Sequence, residues 1–247
     1  HISTISERYQ ETSISSYDYF FFGNSFSQNL FNQSYGINGD RHLITGYARY
    51  DEYKPFTGYH LEPENIANNK ELLVCITDAV LDKVEGSVEI IERFIRLALA
   101  DGWKVTLKMK AKQKFKAKER ALLRAMRAQP KGFVVDASDN ALSVIQNSQV
   151  VVTGYSQVIP ECLLLGKPAL VIKSRDSNSL NFGGFGGTVK LISLDELKSL
   201  NTLELFLKAL AQPKMLNAVE QEFVEKSLGP MKEKTADLIY DFLGENT

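Results

Sequence analysis

The chain has little cysteine: Cys75 and Cys162 are the only two in 247 residues. Both fall inside apolar runs, which argues against a disulfide scaffold and for a reduced, cytoplasmic protein. No apolar run reaches the length of a membrane span, and no signal-peptide pattern is visible. An excess of one charge is also missing. The formal net charge is −1, so no global field for a polyanion is expected. Histidine is scarce, and His1, His42 and His60 show no metal-ligand spacing with one another or with the cysteines. No carboxylate cluster suggests a divalent ion, so neither metal nor cofactor is expected. A Ser-His-Asp elbow and an internal repeat are both absent. The one glycine-rich stretch, Asn181–Gly187, is not G-x-G-x-x-G between a strand and a helix.

Alternating strands and helices are what the chain does have. Tyr17–Gly23 (YDYFFFG) reads as a strand, Ser25–Tyr35 as a helix and His42–Gly46 as a second strand. A strand–helix–strand crossover needs a parallel sheet. Residues 47–70 carry scattered Pro, Gly and Asn and read as a connector. From Leu72 the pattern becomes regular. Strands are expected at Leu72–Thr77, Trp103–Met109, Phe133–Val135, Gln149–Thr153, Ala169–Ile172 and Thr188–Ile192. Helices are expected at Ser87–Ala100, Lys116–Ala128, Asn140–Asn147 and Val158–Leu165, then at Asp195–Lys198, Thr202–Ala211, Leu216–Leu228 and Lys232–Leu243. The fold class is α/β, a doubly wound parallel sheet. Ligands on such sheets bind beyond the carboxyl ends of the strands.

The densest motif is residues 149–173, QVVVTGYSQVIPECLLLGKPALVIK. It reads as strand, turn, helix, turn, strand. Tyr155, Ser156 and Gln157 lie where backbone N–H groups meet an anion. Ser156 can cap the helix, and Pro160 falls in its first turn, where a missing N–H costs least. Glu161 follows Gln157 by one turn and suits the hydroxyls of a ribose; the bland alternative puts it on a solvated face. Asp136 and Ser138 follow another strand on the same edge and could face a nucleotide base. Their bland reading is a helix cap by Ser138 or Asp139. Thr77-Asp78 and Gly86-Ser87 form a further loop at that edge, phosphate-facing or merely solvated. Lys108, Lys173 and Arg175 are candidate cations for a diphosphate; lysines 108, 110 and 112 also alternate as one solvated strand face would, with Lys108 set apart by its place near that strand's carboxyl end. Gly183, Gly184, Gly186 and Gly187 suggest a lid or a plain connection.

The order of these pieces resembles the GT-B superfamily of nucleotide-sugar enzymes, which pair two Rossmann-like domains. The segment Ser148–Ile172 looks like that superfamily's donor motif, with Ser156 and Gln157 on the phosphates and Glu161 on the ribose. LITGYARYDEY (residues 43–53) looks like the end of a first domain, and "YSQVIPECLLLGKPALVI" resembles bacterial surface-polysaccharide and teichoic-acid transferases. GTVKLIS, around Lys190, is similar to a stretch of UDP-N-acetylglucosamine 2-epimerases, although His-Val-Glu-Ala-Gly and Thr-Glu-Arg-Pro-Glu are absent. The resemblance implies an incomplete first Rossmann-like domain at 1–46, a linker at 47–70, a nucleotide-sugar-binding domain at 71–230 and a final helix at 231–247 crossing back. It implies a cytoplasmic, metal-independent glycosyltransferase with a nucleotide-sugar donor and a glycan or lipid-linked acceptor. Peripheral association with the inner membrane is left open. The alternatives are a nucleotide-sugar epimerase or hydrolase, and a non-catalytic nucleotide-binding module.

Overall fold

The structure is a computed structural model. It describes residues 19–35, 42–51, 70–76, 80–81, 85–109, 115–127, 131–173, 188–200, 207, 216–231 and 233–246. The chain divides into two compact units, one formed by residues 58–220 and the other by residues 1–57 with 221–247.

In the smaller unit, β1 (Phe20–Phe22) pairs in parallel with β2 (His42–Ile44), and α1 (Ser25–Tyr35) connects them. Asn24 starts α1 by accepting from the Ser27 N–H at 2.8 Å, while its own amide donates to the Ser227 carbonyl at 2.7 Å. The Phe20, Phe22 and Phe31 rings stand around His42, each roughly edge-on. A 3-10 turn, Ala48–Tyr50, leads to Asp51. Helix α8 (Thr235–Asn246) begins where the Asp51 carboxylate accepts from the Thr235 N–H and hydroxyl at about 3 Å. That cap comes from far away in sequence, so the local pattern placed the helix start at Lys232 instead. Gly229 is pinned by packing as well as by its positive φ. A Cβ there would lie 2.4 Å from the Gly23 carbonyl oxygen and from the Gly46 Cα.

The larger unit is a six-stranded parallel sheet. Its strands are β3 (Glu71–Cys75), β4 (Lys104–Lys108), β5 (Phe133–Asp136), β6 (Val150–Thr153), β7 (Ala169–Ile172) and β8 (Val189–Ile192). The order across the sheet is β5-β4-β3-β6-β7-β8. The chain therefore works outward from β3 to β5, crosses back, and continues outward from β6 to β8. This is the doubly wound arrangement expected from the sequence, and its direction reverses between β3 and β6.

The reason lies in the strands' composition. In β3, β6 and β7, runs such as LLVC, VVVT and ALVI bury both faces, as a sheet covered on both sides requires. Leu72, Val74, Val105, Leu107, Val150, Val152, Leu170 and Ile172 share one core with Ile91, Phe94, Ile95 and Ala98 of α2 (Ser87–Ala100). Each of these Val, Leu, Ile and Phe side chains contributes roughly 1.5–3 kcal/mol when fully buried. Helix α2 packs on α3 (Ala117–Ala125) and on α6 (Leu194–Ser199). Helix α4 (Ala141–Asn147) packs on α5 (Val158–Leu164). Gly166, with φ +62°, ends α5: its N–H donates to the Leu163 carbonyl and the Lys167 N–H to the Cys162 carbonyl. Helix α7 (Ala218–Leu228) is opened by a reciprocal pair: the Glu220 N–H donates to Asn217 Oδ1, and the Asn217 N–H to the Glu220 carboxylate.

Helices α3, α4, α5 and α7 are shorter than the pattern suggests. Helix α3 begins at Ala117 because the Lys116 N–H is taken by the Glu119 carboxylate at 2.6 Å. Helix α5 begins at Val158, as expected, and ends one residue earlier, at Leu164. The expected helix at 202–211 lies outside the described residues, apart from Leu207.

Candidate functional site

At the carboxyl edge of the larger unit's sheet, Cys75 of β3 and Thr153 of β6 stand opposite each other. The Thr153 hydroxyl donates to the Cys75 carbonyl at 3.0 Å. That bond lies where the winding reverses. The loop Gly154–Gln157 leaves β6 from this point and leads directly into α5.

The loop's hydrogen bonds show what it leaves open. Ser156 Oγ lies 3.2 Å from Thr153 Oγ1 and accepts from the Val158 N–H at 3.3 Å. The Ser156 carbonyl accepts from the Ile159 N–H at 3.1 Å. Pro160 has no N–H to offer. Ser156 thus serves the start of the helix with both its side chain and its carbonyl. Gln157 occupies the capping position in helical conformation, without a side-chain cap. Among the described residues, the backbone N–H groups of Tyr155, Ser156 and Gln157 have no partner. Tyr155 is 51% exposed, and Gln157 is exposed.

Glu161 is buried, with 5% of its surface exposed, which excludes the solvated-face reading. Its charge bears on the thiols of both Cys75 and Cys162. Burial pushes the Cys75 thiol up to about 12, with Lys108 opposing and Glu161 and Asp136 adding to the rise. Glu161, Lys108 and Asp136 therefore all lie within electrostatic reach of the carboxyl end of β3. Burial likewise raises the Cys162 thiol, and both cysteines are free.

Lys108 ends β4 in register with Asp136 of β5. It is only 8% exposed, so it stands apart from a solvated strand face, in line with its place near the strand's carboxyl end. The strand ends there and the side chain folds over its neighbour. The ammonium donates to the Met109 carbonyl at 3.3 Å and to the Ser138 carbonyl, and it lies 3.8 Å from Asp136 Oδ1. Asp136 Oδ1 also accepts from the Ser138 N–H at 2.7 Å. Burial raises the Asp136 carboxyl, but the Ser138 hydrogen bonds and the Lys108 charge outweigh it and hold the group below its ordinary value. Neither Ser138 nor Asp139 caps α4. Asn140 does, accepting from the Ser143 N–H at 3.1 Å.

The remaining candidates separate. Lys173 is exposed at the end of β7, with its N–H on the Ile192 carbonyl. Glu196, held low mainly by hydrogen bonds from Ser193, also feels the charges of Lys173 and Lys190. Arg175 and the glycines at 183, 184, 186 and 187 lie outside the described residues, as do Thr77 and Asp78. Ser87 turns inward and donates to the Leu81 carbonyl at 2.8 Å, so its hydroxyl does not face a ligand edge. No group of His, Cys, Asp and Glu among the described residues could hold a metal ion. Sequence reasoning missed Thr153 and the burial of Lys108. Thr153 carried a signal, because it is the polar last residue of an otherwise apolar strand.

No family model and no curated protein matches the chain. Solved structures do. The UDP-GlcNAc 2-epimerase of Methanocaldococcus jannaschii, solved with UDP-GlcNAc and UDP, overlays with a TM-score of 0.53 at 15% identity, over 92% of this chain and 61% of that one. The fold is GT-B-type. A Listeria monocytogenes protein assigned as a UDP-N-acetylglucosamine 2-epimerase overlays with a TM-score of 0.53 at 17% identity, over 93% of this chain and 60% of that one. A structure of the wall teichoic acid polymerase TagF overlays with a TM-score of 0.50 at 15% identity, over 96% and 61%. The chain thus spans about three fifths of the length of each of these GT-B-type chains. Among the described residues no helix is long and apolar enough to cross a membrane.

Proposed function

We propose that the larger unit binds a nucleotide-sugar and that the chain is the donor-binding part of a GT-B glycosyltransferase. The transfer would be to a glycan or lipid-linked acceptor in surface-polysaccharide synthesis. One observation carries the reading: among the described residues, three consecutive backbone N–H groups, at Tyr155, Ser156 and Gln157, lack a partner at the point where the sheet's winding reverses. Such a row of amides suits the oxygens of a diphosphate. The placement of Glu161 one turn into α5 supports its role on the ribose, and Asp136–Asp139 supports a wall for the base. Tyr155, half exposed beside the amides, would border the donor. When the glycosidic bond breaks, negative charge grows on the leaving diphosphate. Fixed amide dipoles stabilise that charge without reorganising. No metal or cofactor enters this reading.

The second reading is a nucleotide-sugar 2-epimerase, favoured by the overlays on epimerases from two organisms. Incubation with UDP-, CMP- and GDP-sugars separates the two. Transfer requires an added acceptor, whereas epimerisation proceeds without one. A thermal shift without turnover identifies a binding module. No shift with any of these nucleotides contradicts the proposal.

A further inference from the structure

We infer that Lys108 is a positioning residue which shapes the base-side loop and does not touch the phosphates. The inference rests on the nucleotide reading above and assigns that loop's backbone groups one by one. A lysine ammonium has three protons and no acceptor. Here the Met109 carbonyl, the Ser138 carbonyl and the Asp136 carboxylate surround it. At 8% exposure a buried ammonium needs such partners, so it stays on them. The consequence falls on Ser138. Its carbonyl is occupied by Lys108 and its N–H by Asp136 Oδ1. The Asp136 carbonyl is likewise taken, by the Met109 N–H at 2.8 Å.

What the loop has left is definite. Among the described residues, the backbone N–H and carbonyl groups of exposed Ala137 and Asp139 make no hydrogen bond. The Lys108–Asp136 pair spends the backbone of Ser138 on holding the loop's shape and leaves one residue on either side of it to meet a ligand. An amide N–H beside a carbonyl matches the donor–acceptor edge of a nucleobase. It does not match a phosphate, which only accepts. Lys108 therefore governs affinity for the base of a nucleoside diphosphate and leaves affinity for the diphosphate alone.

Lys108→Met keeps the apolar stem and removes the ammonium. Hydrogen exchange of the Ser138 amide, whose N–H is held by Asp136 Oδ1, should accelerate by about tenfold in this variant. In calorimetry UDP should bind about tenfold more weakly. Inorganic pyrophosphate should bind within about twofold of wild type. A purely structural lesion would weaken both ligands together. Equal loss of UDP and pyrophosphate overturns the inference, because the ammonium then acts on the phosphates or on the whole fold and not on the base-side loop. Unchanged exchange also overturns it, because the tether is then idle. Should Lys108→Met fail to fold, Asp136→Asn removes the ion pair while conserving shape, and it should move exchange and UDP affinity in the same direction. If the wild type binds none of UDP, CDP, ADP or GDP, the nucleotide reading fails. The exchange comparison then decides the tether by itself.

Discussion

Thr153 Oγ1 lies 3.2 Å from Ser156 Oγ and 3.0 Å from the Cys75 carbonyl. A carbonyl can only accept, so the Thr153 proton goes to Cys75 and the Ser156 proton goes to Thr153. Ser156 Oγ is then free to accept from Val158. Three hydroxyl-mediated bonds thus strap the loop Gly154–Gln157 to the adjacent strand. The strap explains how the amides of Tyr155, Ser156 and Gln157 are held in place with so short a helix behind them.

Thr153→Val keeps the shape and removes the proton and its acceptor. It leaves the buried Cys75 carbonyl without this partner, at a cost of about 1–3 kcal/mol. Ser156→Ala should cost about 1 kcal/mol. The two losses should not add, because they act on one chain of bonds. Urea denaturation of the single and double variants checks this.

Glu161→Ala should weaken binding of a nucleoside diphosphate at least about tenfold, or about 1.4 kcal/mol. Calorimetry against a matching base diphosphate, with and without the ribose hydroxyls, measures it. Equal affinity in wild type and variant removes the ribose assignment.

Both thiols should be inert to iodoacetamide at pH 8 in the folded protein. They are free and buried, and burial holds the thiolate of Cys75 off until about pH 12. In denaturant both should react at the rate of ordinary cysteine. Fast labelling of the native protein would contradict the packing around β3 and α5.

The smaller unit should lose stability in mild acid. Burial among phenylalanine rings lowers the His42 pKa from 6.5. The neutral form is favoured in the folded state, so this contribution is complete above the unfolded value near 6.5. It declines as pH falls and is gone once the folded value is passed. His42→Phe should flatten that part of the profile. Asp136, also held low, acts in a separate and more acid window below about pH 3.9.

Asp51→Ala should cost about 1 kcal/mol by uncapping α8, and Asp51→Asn clearly less. Thermal melts of the two variants beside wild type check the order.

Much of this was legible along the chain. The run from Val150 to Ile172 declares itself, because β-branched strands, a Gly-Tyr-Ser turn, an apolar helix and Gly166 are all local signals. The parallel, doubly wound sheet was implied by the alternation of strands and helices, and its strand order was not. What could not be read was whatever depends on partners distant in sequence. Lys108 shares its alternating spacing with Lys110 and Lys112, and only the pairing of β4 with β5 turns it onto Asp136 and Ser138. Asn140 won the α4 cap over Ser138 because Ser138 was already committed to that pair. The start of α8 was misplaced because its cap is Asp51.

The most direct test is an amide-resolved NMR titration of the chain with UDP, CDP, ADP and GDP. The account predicts that at least one of them moves the amide signals of Tyr155, Ser156 and Gln157 most, with smaller shifts at Ala137 and Asp139. Saturating amounts of all four with no shift at 155–157, or shifts centred elsewhere, would contradict it.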